Sequence, residues 1–109
     1  MRIVTFATAI GLLVCVVGVV AGERATPKTH TVTIEGMRFQ PESLTVARGD
    51  TVVWVNKDLV AHTATSEAGN FDSQIIQADK SWRFTVKKKG GFAYICTFHP
   101  TMKAMLRVK

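Results

Sequence analysis

From His30 onward, apolar and polar residues alternate with a period of two. Val32 and Ile34 alternate with Thr31, Thr33 and Glu35, Leu44 and Val46 flank Thr45, and Val52, Trp54 and Asn56 alternate with Val53 and Val55. Such alternation sends successive side chains to opposite faces of an extended chain, so each run predicts a strand with one buried face. Trp82, Phe84 and Val86 make a further face of this kind, Phe92, Tyr94 and Cys96 another, and Met105 to Val108 predict a terminal strand. Turn chemistry at Gly36, Pro41-Glu42, Arg48-Gly49-Asp50, Gly69-Asn70 and Gly90-Gly91 separates the runs. Short strands at this spacing suit an all-β sandwich. Between Glu67 and Lys80 the alternation weakens, which predicts a longer crossover of the kind a Greek key requires.

The N-terminus follows a different rule. Ile3 to Val20 is free of charge, follows Arg2, and ends in Val19-Val20-Ala21-Gly22, with small residues where a signal peptidase needs them. Residues 1–21 are therefore expected to be an export signal. An uncleaved membrane anchor is the alternative, since the run falls at the short edge of a span of about 20 residues. Residues 22–29 read as a flexible leader and 30–109 as the domain. Cys15 follows Val14, where a lipidation signal needs a smaller residue, so it counts as part of the apolar run.

With 109 residues there is room for one domain. A domain of this size buries one modest core, which argues against an enzyme with a deep pocket. The chain has 14 Lys and Arg against 8 Asp and Glu, and all but Arg2 of the basic residues lie beyond the expected cleavage point. Those charges are spread out, no nucleic-acid motif accompanies them, and export removes the opportunity, so nucleic acid is excluded as a partner. Lys87-Lys88-Lys89 reads as a solvated charged hairpin turn, with steering of an acidic partner as the alternative.

Removal of Cys15 would leave Cys96 as the sole thiol of an exported protein, with no internal disulfide available to it. Such a thiol must be buried, paired between chains, or held by a metal. The run Cys96-Thr97-Phe98-His99-Pro100-Thr101-Met102 places a thiolate, an imidazole and a thioether three residues apart, and His62 offers a second imidazole. Two imidazoles and a thiolate in a plane, with a weak axial thioether, are the ligands of a blue-copper electron-transfer site. Singly, a Cys at a strand end or a Met near a terminal strand is core material; the combination points to copper. Zinc accepts the same sulfur and nitrogen donors, but the thioether would then have little purpose. His30 reads as a solvated strand start and Met37 as packing. A copper-trafficking or copper-storage module is the alternative function, although Met-rich and His-rich tracts are missing. A multicopper enzyme would need histidines flanking Cys96, where Ile95 and Thr97 stand.

Met37-Arg38-Phe39-Gln40-Pro41, Gly49 to Asn56, His62, and Gly90-Gly91-Phe92-Ala93-Tyr94-Ile95-Cys96 with the following loop resemble single-domain cupredoxins, and most closely the amicyanin branch of the plastocyanin-like family. The resemblance covers roughly His30 to Lys109. The branch is set by the two residues between His99 and Met102; a plastocyanin-like loop would call for Met at position 104, which is Ala104. The resemblance implies an antiparallel Greek-key β-sandwich with one type 1 copper at one end. It implies Cys96 as the strong in-plane ligand, His62 as the buried one, His99 as the ligand near the surface, and Met102 as the axial contact; Met105, the rival for that role, reads as a strand residue facing the core. Asn56 would tie the two ligand loops together, and Phe98, His99 and Pro100 would form the docking rim and electron port. It further implies a monomeric periplasmic electron carrier that performs no bond-making chemistry. A quinoprotein amine dehydrogenase would be the donor, a c-type cytochrome the acceptor, and the membrane a partner only if the N-terminal segment is retained.

Overall fold

The computed structural model describes residues 2–5, 10–14 and 26–109. Most of the expected export signal, Cys15, and residues 22–25 of the leader lie outside the described residues. Among the described residues there is no helix, and eight strands run in chain order: β1 (Thr29–Ile34), β2 (Phe39–Gln40), β3 (Ser43–Val46), β4 (Thr51–Asn56), β5 (Thr65–Ser66), β6 (Ser81–Thr85), β7 (Gly90–Cys96) and β8 (His99–Val108). They form two four-stranded sheets, ordered β2-β1-β4-β6 and β3-β8-β7-β5.

The sandwich expected from the alternation is present, but its pairing is mixed. β1 runs parallel to β4 and β3 parallel to β8, while the remaining pairs are antiparallel. Connectivity is the reason. Only β1–β2 and β7–β8 are consecutive neighbours within a sheet; every other connection passes to the opposite sheet, so β1 and β4 meet after an excursion through β3. The weakly patterned stretch after Glu67 is one of these crossovers, taking the chain from β5 to β6.

Inward-facing residues of both sheets make one core. Val32, Ile34, Val52 and Trp54 from the first sheet meet Val46, Tyr94, Met102, Leu106 and Val108 from the second. Trp54 is the centre: its ring lies 5.4 Å from Trp82 and 5.6 Å from both Phe71 and Tyr94, centroid to centroid. Aromatic groups at such separations add packing energy beyond their buried area. Burial pushes the Tyr94 phenol up to about 12.

Several boundaries differ from those the pattern predicts. β2 and β5, two residues each, are too short to show a period. Gly90 and Gly91 open β7, paired with Val108 and Arg107. Gly90 has φ +143° and the Phe92 ring lies against its open side, which glycine alone tolerates without strain. Lys87-Lys88-Lys89 therefore crosses between sheets instead of turning a hairpin. The terminal strand starts at His99, because the β7–β8 ladder continues through a bulge at Ile95/Cys96 to a Cys96–His99 pair. Alternation along it puts Met102, Leu106 and Val108 inward. Met105 lies on the other face, half-buried, which corrects the expectation that it faces the core.

At the end of the sandwich remote from Cys96, Asp50 fastens β1 to the β3–β4 turn. Its carboxylate accepts from Lys28 N at 2.9 Å, His30 Nε2 at 2.9 Å and Ala47 N at 3.0 Å. His30 is thus paired, not merely solvated. The Lys28 N–H, the His30 ring and the Ala47 N–H hold the Asp50 carboxyl down at about 2, against an ordinary value of 3.8. A depressed carboxyl contributes stability that is complete above its unfolded value and is lost as pH falls through its folded one. Unfolding measured as a function of pH should therefore show stability falling between 3.8 and about 2, with that part of the slope absent from Asp50→Asn. In the core, Leu106→Ala should cost about 2–5 kcal/mol in denaturant melts, as buried leucine truncations do.

Candidate metal centre

The β7–β8 hairpin and the β4–β5 loop bring three donors together. Cys96 is the last residue of β7 and His99 the first of β8, so a two-residue turn, Thr97-Phe98, separates thiol from imidazole. His62 comes from the opposite direction and is anchored by a two-way backbone bridge: its N–H donates to Ile76 O at 3.1 Å and its carbonyl accepts from Ile76 N at 2.8 Å. His62 and Cys96 are completely buried and His99 is half-buried.

The geometry of these donors fits one ion. His62 Nδ1 lies 3.6 Å and His99 Nδ1 3.7 Å from Cys96 Sγ, and the three donor atoms lie within 4.8 Å of one another. A first-row metal about 2.0–2.1 Å from nitrogen and about 2.3 Å from sulfur, with near-trigonal angles, requires a sulfur–nitrogen separation of about 3.6–3.8 Å. Met102 lies on the inward face of β8, the face that Tyr94 and Cys96 occupy on β7, so its thioether belongs to the same side of the sheet as the thiol. Met105, its rival, points to the other side.

Each donor is oriented by its surroundings. His62 Nε2–H donates to Asp58 Oδ2 at 2.8 Å, which leaves Nδ1 as the acceptor nitrogen facing the sulfur. Asp58 is fixed in turn by the N–H groups of Gly36 at 2.8 Å and Met37 at 3.0 Å, presented by the left-handed β1–β2 turn. Burial by itself raises the Asp58 carboxyl; the Met37 N–H, the His62 ring and the Gly36 N–H outweigh it and hold the group below the ordinary carboxylate range. The sulfur receives one backbone donor, Thr63 N–H at 3.4 Å.

Asn56 is completely buried, but it does not tie the two ligand loops together. Its Nδ2 donates to Val60 O at 2.8 Å and Ile76 O at 2.9 Å, and its Oδ1 accepts from Asp58 N at 3.0 Å. It therefore shapes the His62 loop against the 67–80 crossover. The tie between the ligand loops is Thr63, whose Oγ1 accepts from Thr97 N at 2.9 Å and from Thr65 Oγ1 at 2.9 Å, and lies 3.1 Å from Thr97 Oγ1. Asp58, Thr63 and Thr97 were not singled out by sequence reasoning. The available signals were an acidic residue four before His62 and a threonine directly after each of His62 and Cys96.

The surface over the centre is apolar. Phe98 and Pro100 flank His99 and are exposed. Within residues 26–109 the exposed large hydrophobic side chains are Met37, Leu59, Val60, Ile75 and Phe98. All five stand in the loops that gather around His62 and His99.

A family model described as a cupredoxin-like domain matches residues 7–108. The chain is 29% identical over 81 residues to the amicyanin of Paracoccus versutus, a match spanning 70% of this chain and 61% of that protein, less than two thirds of its length. It is 24% identical to amicyanin-alpha of Methylorubrum extorquens over 119 aligned residues and the whole of both chains. Among solved structures, a Cu(I) form of a methionine-to-alanine mutant of amicyanin superposes with TM-score 0.70 at 26% identity, covering 74% of this chain and 82% of that one. A copper-containing nitrite reductase from Thermus scotoductus superposes with TM-score 0.70 at 30% identity, covering 77% of this chain and 22% of that one.

The Thr63 tie has a measurable consequence. Thr63→Val keeps the volume but removes the acceptor for Thr97 N–H and Thr65 Oγ1. It should destabilise the metal-free protein by about 1–3 kcal/mol in denaturant melts. An unchanged melt would show that the loops are held together by other contacts.

Proposed function

The chain belongs to the family of cupredoxin-like domains, and on that basis we propose that it is a type 1 copper electron carrier working outside the cytoplasm, with His62, Cys96, His99 and Met102 as ligands. The observation that carries this reading is the pair of imidazole Nδ1 atoms 3.6 and 3.7 Å from a buried thiol. Copper bound there would supply one-electron exchange between Cu(II) and Cu(I). The chain's contribution is rigidity: Asp58 orients His62, Thr63 N–H and burial shape the surroundings of Sγ, and the β7–β8 hairpin holds Cys96 and His99 at fixed separation. Little rearrangement then accompanies gain or loss of an electron, because the donors are held where either oxidation state needs them.

His99, half-buried within the Phe98–Pro100 rim, is the port for electrons. Small, weakly adhesive apolar contacts suit a carrier that must dock and leave quickly. The proposed partners are redox proteins, with a quinoprotein amine dehydrogenase as donor and a c-type cytochrome as acceptor, and the carrier is a monomer that makes and breaks no substrate bonds. Residues 1–21 are proposed to export it to the periplasm, or to anchor it there if retained. A copper-trafficking role fits less well: the burial of Cys96 and His62 opposes ready exchange of the metal.

Visible and electron-paramagnetic-resonance spectra of the Cu(II)-loaded protein test the reading. An intense thiolate-to-copper band should be present in the native protein and absent from Cys96→Ser. Met102→Gln should move that band and the copper hyperfine pattern, whereas Met105→Gln should leave both unchanged. A colourless native protein with ordinary tetragonal copper signals would overturn the proposal.

A further inference from the structure

At the pole remote from Cys96 lies a cleft of about 760 Å³, lined among others by Lys28, Arg48, Lys89 and Lys109. The register places it. Thr29 pairs with Thr51 and Gly90 with Val108 at this end, whereas Ile34 pairs with Asn56 and Cys96 with His99 at the other. Nothing in the proposed electron-transfer role uses this cleft.

Three features make it a site for an anion. First, among the described residues none of the four cations is in an ion pair; the two ion pairs formed are His30–Asp50 and His62–Asp58. Second, the one acidic side chain lining the cleft, Asp50, is turned to Lys28 N, Ala47 N and His30 Nε2 and forms no ion pair with any of the four cations, which leaves a surplus of positive charge around the cleft. Third, the backbone carrying Lys28, Arg48 and Lys109 is fastened in place. Arg48 N donates to Lys109 O at 3.3 Å, Lys109 N to Val46 O at 2.9 Å, Gly49 N to Val86 O at 2.7 Å, and Thr51 N to Lys28 O at 2.9 Å. Four cations lining one cleft against a single carboxylate leave a net positive field there, which favours an anion.

We propose that this cleft binds a phosphate group, with Arg48 engaging two oxygens through its planar fork and Lys28, Lys89 and Lys109 supplying point charges. Two sources share that chemistry: free phosphate, and the phosphodiester headgroup of an anionic phospholipid. Where residues 1–21 are retained as an anchor the lipid comes within reach, because Thr26 lines the cleft and the apolar run Ile3 to Val20 lies a few residues upstream. Binding at this pole would leave the His99 rim facing away from a membrane and open to partners.

The test is an amide chemical-shift titration of the full chain with sodium phosphate, with dihexanoyl phosphatidylglycerol below its micelle concentration, and with sodium chloride at matched ionic strength. Saturable shifts are expected at Lys28, Gly49, Thr51 and Lys109 and none around His62, Cys96 and His99. Arg48→Gln and Lys89→Gln should each weaken binding about fivefold, the upper range for an exposed charge pair. Arg83→Gln, an exposed cation outside the cleft, should leave it unchanged. Saturation by both ligands supports a site for phosphate itself, and saturation by the lipid alone supports a headgroup site. Shifts that chloride reproduces, that fail to saturate, or that survive both Arg48→Gln and Lys89→Gln would overturn the proposal.

Discussion

Everything at the metal end depends on keeping a thiol and an imidazole buried with their donor atoms turned toward each other. Buried polar atoms are costly unless each finds a partner. The sandwich meets this demand by surrounding His62 and Cys96 with hydrogen bonds from three connections. The β1–β2 turn gives two N–H groups to Asp58, Asp58 takes the proton-bearing nitrogen of His62, and Thr63 joins its own loop to Thr97 while its N–H faces the Cys96 sulfur. The bulge at Ile95/Cys96 belongs to the same arrangement, since it lets β7 and β8 continue pairing up to the turn that separates the thiol from His99. Loosening any one of these would move donor atoms whose separations match a common ion.

The two ends of the domain present opposite surfaces. The loops around His62 and His99 carry the exposed large hydrophobic residues Met37, Leu59, Val60, Ile75 and Phe98. The remote pole collects Lys28, Arg48, Lys89 and Lys109, with Asp50 withdrawn into hydrogen bonds. An apolar end and a basic end make an oriented molecule, which is what the proposed docking at one pole and anion binding at the other would use. That orientation follows from the register of β1 against β4 and of β7 against β8, which sends the chain's N-terminal entry to the basic end.

Much of this was legible in the sequence because period-two alternation and burial of one face are two descriptions of the same geometry. The runs from Val32, Val52 and Phe92 announced strands, and the cysteine-to-methionine run announced soft donors. What stayed hidden depended on partners far apart in sequence. Thr63 and Thr97 meet across more than thirty residues, so neither has a local pattern, and Asn56 was assigned a tie that Thr63 makes. The parallel β1–β4 and β3–β8 pairs arise from the order in which the chain visits the sheets, which alternation does not encode. Met105, expected to face the core, lies opposite Leu106 and Val108 on β8; the alternation of those neighbours already carries this, whereas its apolar side chain alone does not.

On the proposed reading, the fold holds a sulfur and two imidazole nitrogens where copper in either oxidation state would need them. X-ray absorption at the copper edge, recorded on the Cu(II) and Cu(I) forms, tests it most directly. One short sulfur bond and two nitrogen bonds are expected, nearly unchanged in length between the two states. A shell of nitrogen and oxygen alone, or one that rebuilds itself on reduction, would contradict it.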